Sequence, residues 1–320
     1  MSNLHTEIIH TISYFGFFEY APKFDEIHTF LSKKVSKQGL QKELEELVKK
    51  NILSSFKGDY YIDSSLIAQN DRGAKYTLGE YSIRVPPSSR LRRASRSQYY
   101  ISLMEKKIKY SSEKIQKAML FIRILSWFPQ IKLIGLSGSV AMMNAEEEDD
   151  TDLFIVTSAG RMWTARFISL ILAHIMGVRR MRHDQNVQNK ICLNLFFDES
   201  DLSLPKRKHT EYGAHEVLQM KPIVDKLGTY KRFLGANRWV YDLFPNAISI
   251  IKTTVHDDSY VIPTKVGIPL KVPLIGNLIE KSLKRIQLYL IKRHKTTETI
   301  TQTQLWFFPD DFEKKMRKVL

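Results

Sequence analysis

Cysteine is nearly absent from this chain of 320 residues, with Cys192 standing alone. A single thiol builds neither a disulfide framework nor a cysteine-rich zinc site, and it points to a reducing compartment. Long apolar runs are missing too. The longest, Phe167 to Gly177, is interrupted by His174 and falls well short of the roughly 20 residues that cross a bilayer. The chain begins Met1-Ser2-Asn3-Leu4-His5-Thr6-Glu7, with no basic stretch leading into an apolar one, so no secretory signal is expected. No internal repeat of useful length occurs. Together these absences predict a cytoplasmic protein without a transmembrane segment.

Acid is the other shortage: 34 Asp and Glu face 49 Lys and Arg, a formal net charge of +15. Such an excess raises affinity for polyanions through counterion release, which makes nucleic acid, nucleotides and anionic lipid compatible partners. Charge by itself does not choose among them, and a high pI also serves solubility alone. Apolar side chains are plentiful at 43%, enough for two or three domains with cores of ordinary size.

The stretch that carries chemistry is Leu133-Ile134-Gly135-Leu136-Ser137-Gly138-Ser139, followed after an acidic turn by Asp150-Thr151-Asp152-Leu153-Phe154-Ile155-Val156. Strand side chains alternate with a period of two, so Asp150 and Asp152 share a face while the apolar run behind them anchors the strand. Two carboxylates that close repel unless a cation lies between them, and hard divalent ions bind through such pairs together with substrate phosphates. Gly138 removes a side chain where backbone N–H groups would approach an anion, and Ser139 adds a donor at the start of a helix. Glu146-Glu147-Glu148-Asp149 precedes the pair; the uninterrupted apolar strand selects Asp150 and Asp152 from this acidic run. The plainer reading is an acidic surface turn between two core strands.

These residues resemble the signature of the DNA polymerase β-like nucleotidyltransferase superfamily, in which apolar-Gly-Ser precedes Asp-x-Asp at a similar interval. The resemblance implies that Asp150 and Asp152 are catalytic and hold Mg²⁺ or Mn²⁺. It also implies that Gly138 and Ser139 hold the outgoing phosphates of a nucleoside triphosphate substrate. The reaction would move a nucleoside monophosphate to a hydroxyl on an RNA end, a protein or a small molecule. The superfamily usually adds a third carboxylate from the next strand. On Ile191-Cys192-Leu193-Asn194-Leu195-Phe196-Phe197 the interior polar position is Asn194, an amide that carries no charge and cannot act as a base. Asp198 and Glu199 substitute only if the strand bends or its register shifts. The competing expectation is therefore a catalytically weak or inactive protein of this fold, working as a nucleic-acid-binding or regulatory module.

Around this core the chain divides. Helical spacing over Leu4 to Phe15, then Phe24, Ile27, Phe30 and Leu31, then Leu40, Leu44 and Leu47 behind Ser36, predicts three helices. Lys57-Gly58-Asp59 between two apolar runs predicts a hairpin. Three helices and a hairpin resemble a winged helix-turn-helix. Glu43, Glu45 and Glu46 among the third helix's lysines would face phosphates, which favours protein contact or substrate positioning over reading DNA. Pro86-Pro87-Ser88-Ser89 and Arg90, Arg92, Arg93 and Arg96 read as a linker whose arginines either approach phosphate or are merely solvated. Arg179, Arg180, Arg182 and Lys190 carry the same two readings.

Beyond residue 205 the expectation is helical. His215 and Glu216, on a first tail helix, either approach the site or, more simply, have a structural capping role. Leu274 to His294 is a basic amphipathic helix suited to membranes or RNA, and more simply to packing on its own domain. The predicted class is α+β, a small mixed-sheet nucleotidyltransferase core with an N-terminal winged-helix-like domain. The expected boundaries are 1–66 for the winged-helix-like domain, 67–96 for a linker, 97–205 for the core and 206–320 for a helical C-terminal region. Similar bacterial proteins join the same three parts, with phrases like Leu218-Gln219-Met220-Lys221-Pro222 and Ala236-Asn237-Arg238-Trp239-Val240. RNA or another polyanion is the expected macromolecular partner.

Overall fold

A computed structural model of the chain describes residues 3–62, 76–78, 81–83, 93–181, 184–248, 273–293 and 299–307. Most of the expected linker, Arg182, residues 263–272 and the side chains of Arg93 and Arg96 lie outside them. The chain forms two compact units, one of residues 1–105, 239–254 and 311–320, the other of 106–238 and 255–310.

In the first unit, Asn3–Phe17 (α1), Phe24–Thr29 (α2) and Lys37–Lys49 (α3) bury Ile8, Ile12, Ile27, Leu40, Leu44 and Leu47 against one another. The three- and four-residue spacing puts each set on one helix face. Ser36 starts α3 by accepting a hydrogen bond from Gly39 N at 3.0 Å, which satisfies one of the orphan donors of the first turn. The hairpin of Leu53–Phe56 (β1) and Asp59–Ile62 (β2) turns on Lys57 and Gly58, at φ of 50° and 86°. Positive φ at both central residues matches the turn to the strand twist. Tyr76–Leu78 (β3) and Tyr81–Ile83 (β4) pair as a further small hairpin.

The chain returns to this unit at Trp239, which the boundaries read from sequence did not anticipate. Phe244 meets Phe30 edge-on at 5.2 Å, and Asn246 accepts from Val35 N and donates to Lys33 O. A short helix, Val240–Leu243 (α9), precedes this contact.

The second unit is built on a six-stranded sheet. Its strands are Ile131–Leu136 (β5), Thr151–Thr157 (β6), Ile191–Asp198 (β7), Lys221–Asp225 (β8), Thr299–Ile300 (β9) and Gln304–Trp306 (β10), in the order β8-β5-β6-β7-β10-β9. β6 and β7 are parallel and every other pair is antiparallel, so the sheet is mixed. The parallel pair needs a crossover, supplied by Met162–Ile175 (α6). Arg93–Ser126 (α4) and α6 cover one face, where Phe121, Leu125, Trp163, Ile134, Ile155 and Phe196 share a core. On the strands, Phe154 and Phe197 meet Phe233 of Thr229–Ala236 (α8), with Phe154 at 5.0 Å from each. Gly138–Ala141 (α5), Glu211–Gln219 (α7) and Pro273–Lys292 (α10) complete the described helices.

The region after residue 205 is not simply helical. Lys221–Asp225 pairs with β5, and Gln304–Trp306 pairs with β7. Pro222 offers no N–H to a helix interior, while Ile223 and Val224 are buried as sheet residues.

Candidate metal and phosphate site

The site forms where β5 ends and β6 begins. These strands are antiparallel, with Leu136 opposite Leu153, and Ser137 N donates to Asp152 O at 3.1 Å. The turn after β5 is therefore tied to the backbone of the strand that carries the acid. Gly138 there has φ of +63°, a conformation that disfavours any side chain, and a Cβ on it would lie 3.0 Å from Asp152 Oδ2. Glycine at 138 is thus required twice, by the turn and by the carboxylate resting over it. The Ser137 hydroxyl is buried with no hydrogen-bond partner among the described residues. Such an orphan costs about 1–3 kcal/mol, and a phosphate oxygen arriving at the turn would satisfy it.

The acidic run sorts itself by hydrogen bonding. Asp149 Oδ2 accepts from Ser139 Oγ and from Glu146 N, both at 2.9 Å. Buried Lys114 donates to Glu147 O at 2.8 Å and Asp149 O at 2.6 Å, and burial pulls its pKa down. Asp149 is therefore part of the loop's framework, and the Ser139 hydroxyl is engaged with it. Asp150 and Asp152 are not consumed this way. One oxygen of each, together with Cys192 Sγ, lies within 4.8 Å of the others.

Cys192 is the residue the sequence reading passed over. Strict alternation on β7 put Asn194 in the third position, but a bulge intervenes. Asp152 pairs with Cys192, whereas Phe154 pairs with Leu195, so β7 carries one extra residue between them. Asn194 uses its carbonyl to hold Phe307 N at 2.9 Å, and Phe196 falls in the core on the opposite face from Phe197. The direct pairing of Cys192 with Asp152 sets the thiol beside the acids, and the bulge that follows takes Asn194 out of the alternation. Asp198 and Glu199 do not substitute. They lie at the far end of β7, where Asp198 is level with Thr157.

Electrostatics mark the same spot. Asp152 is pushed up to about 7, first by burial and then by the charges of Asp150 and Glu216. Glu216, on α7, is itself pushed up to about 7 by burial. It therefore approaches the site, one of the two readings open for it. His215 beside it is buried, its Nδ1 bonded to Gln219 Nε2 at 3.0 Å. Burial and the two aspartates drive the Cys192 thiol upward, so it stays protonated. Arg180 sits over the group, with NH1 at 2.6 Å from Asp150 Oδ2 and 3.5 Å from Cys192 Sγ. A guanidinium already lies where positive charge is favourable. The oxygen pair suits Mg²⁺ or Mn²⁺, while a thiol is a soft donor that Mg²⁺ does not use. Asp150 and Asp152 thus fit the ion and Cys192 fits it poorly. In the first unit, His5, Glu43 and Glu46 also gather, although Glu46 is already paired with Lys50.

Compared with protein-family models, characterised proteins and solved structures, the chain finds no match in any of the three. The functional reading therefore rests on the geometry and on the resemblance of the motif.

Proposed function

We propose that the chain is a divalent-cation-dependent nucleotidyltransferase that moves a nucleoside monophosphate from a triphosphate to a hydroxyl. The observation that carries this reading is the convergence of Asp150 and Asp152 over the left-handed turn at Gly138. Asp150 and Asp152 would hold Mg²⁺ or Mn²⁺, which when bound offsets charge on the attacking and leaving oxygens of an in-line displacement. The bond from the acceptor oxygen to the α-phosphorus forms as the bond to the bridging oxygen breaks, and pyrophosphate leaves. Gly138 keeps the turn open to phosphate, and Ser137 supplies a hydroxyl donor there. Ser139 joins it only by releasing Asp149. The excess of basic residues favours RNA or another polyanion as the acceptor.

The test is binding of labelled triphosphate with and without Mg²⁺ or Mn²⁺, followed by transfer of α-phosphate label into RNA or protein. Cation-dependent binding lost in Asp150→Asn with Asp152→Asn supports the reading; equal binding by parent and double variant overturns it. A second reading is favoured by the thiol in the third position and by the Arg180 pair with Asp150. It is a weakly active or inactive protein of this fold with a regulatory role, and it expects binding without transfer.

A further inference from the structure

Helix α10 docks on α6 through one face. Glu280 accepts from the backbone N–H groups of Trp163 and Thr164 at 2.8 and 2.9 Å. Gln287 accepts from Arg166 NH1 at 2.7 Å and donates to Trp163 O at 2.8 Å, and Leu283, Leu288 and Ile291 pack on the core. That accounts for the buried side of an amphipathic helix, yet the helix has a second apolar face. Ile275, Leu278, Ile279, Ile286, Tyr289 and Leu290 are exposed, Leu278 by 67% and Ile275 by 60%. At 3.6 residues per turn these six fall within one arc of roughly 120°. Exposed Lys281, Arg285 and Lys292 line one border of that arc. The helix's single acid, Glu280, is spent on α6. Phe167, Ile171 and Ile175, one turn apart on α6, are exposed as well, Ile175 by 76%.

A water-facing helix side is normally polar, and contiguous exposed apolar surface marks an interaction site. Aliphatic side chains bordered by cations, with no acid among them, match the boundary of an anionic bilayer: acyl chains take the apolar row and phosphates take the cations. No helix among the described residues is long and apolar enough to cross a membrane, so a bilayer would meet this face at its surface. A second copy of the face brings no acid to meet Lys281, Arg285 and Lys292. Nucleic acid would use the cations but leave five of the six apolar side chains without a stacking partner. We propose that α10 docks this unit on an anionic membrane surface.

Sedimentation of the full-length protein with vesicles of phosphatidylcholine, alone or mixed with phosphatidylglycerol, tests this. Binding is expected to the mixed vesicles and about tenfold weaker to the neutral ones. Ile286→Glu with Leu290→Glu is expected to lower binding about tenfold, with circular dichroism unchanged because both residues are on the surface. Lys281→Gln with Arg285→Gln and Lys292→Gln is expected to erase the preference for anionic lipid while leaving the fold intact. Retention of full binding by the glutamate variant overturns the proposal. So does a protein that ignores both vesicles, whether it forms a dimer that the glutamate variant dissolves or binds RNA that the same variant releases.

Discussion

Carboxylates stand at both ends of the parallel pair β6 and β7, and the two ends treat them differently. At the far end Asp198 is buried and fully engaged, accepting from Ser200 N, Ser200 Oγ and Gly160 N. Glu199 accepts from Ala159 N and pairs with Arg232 at 2.9 Å. At the near end Cys192 and Arg180 beside Asp152, and Tyr212 and Lys208 beside Glu216, offset burial only in part, and both acids are pushed up to about 7. The residue type is the same; the supply of donors differs. A carboxylate surrounded by N–H groups is an anchor, whereas one buried beside another acid has its ionised form disfavoured until positive charge is brought to it.

The largest effect should come from removing the near-end pair. Asp150→Asn with Asp152→Asn is expected to weaken divalent-cation binding, read by isothermal titration calorimetry, by more than about 100-fold. The same change should raise thermal stability without cation, because it removes like charge. Asp198→Ala should do the reverse: about 3 kcal/mol less stable in urea denaturation, since its donors lose their acceptor, with cation binding unchanged. If the two variants gave the same pattern, the contrast between the ends would be void.

A pH series sharpens it further. Asp152 has a folded pKa of about 7 against an ordinary 3.8. Stability contributed by its protonated form is therefore complete below 3.8 and lost as pH rises through 7. A cation that binds the ionised carboxylate should be held more tightly over the same interval, levelling off above 7. Cys192→Asp should then raise Mg²⁺ affinity about tenfold by supplying a third hard oxygen. The smallest expected change is in Arg180→Gln, a few-fold gain in cation affinity without nucleotide, because the guanidinium that competes for Asp150 is partly exposed.

Much of this was legible in the chain itself. The spacing of Leu40, Leu44 and Leu47 behind Ser36 marked α3, and Lys57-Gly58 marked the hairpin, because capping and positive-φ preferences act within a few residues. Gly138, Asp150 and Asp152 were likewise readable, since a tight turn and a strand alternation are local. Pro222 and the apolar pair after it could have signalled β8, but a five-residue edge strand is stabilised mostly by its neighbour.

The sequence by itself determined the parts: apolar periods of two and about four, a glycine at the turn, acids on alternating positions, an excess of cations. Only tertiary structure decided which third side chain joins those acids, because the register of β7 against β6 sets Cys192, not Asn194, beside Asp152. Tertiary packing also decided how each acid is held, delivering N–H donors to Asp149 and Asp198 and burying Asp152 beside Asp150 and Cys192. Residues remote in the chain supply those contacts, and side-chain identity alone does not encode who the neighbours will be.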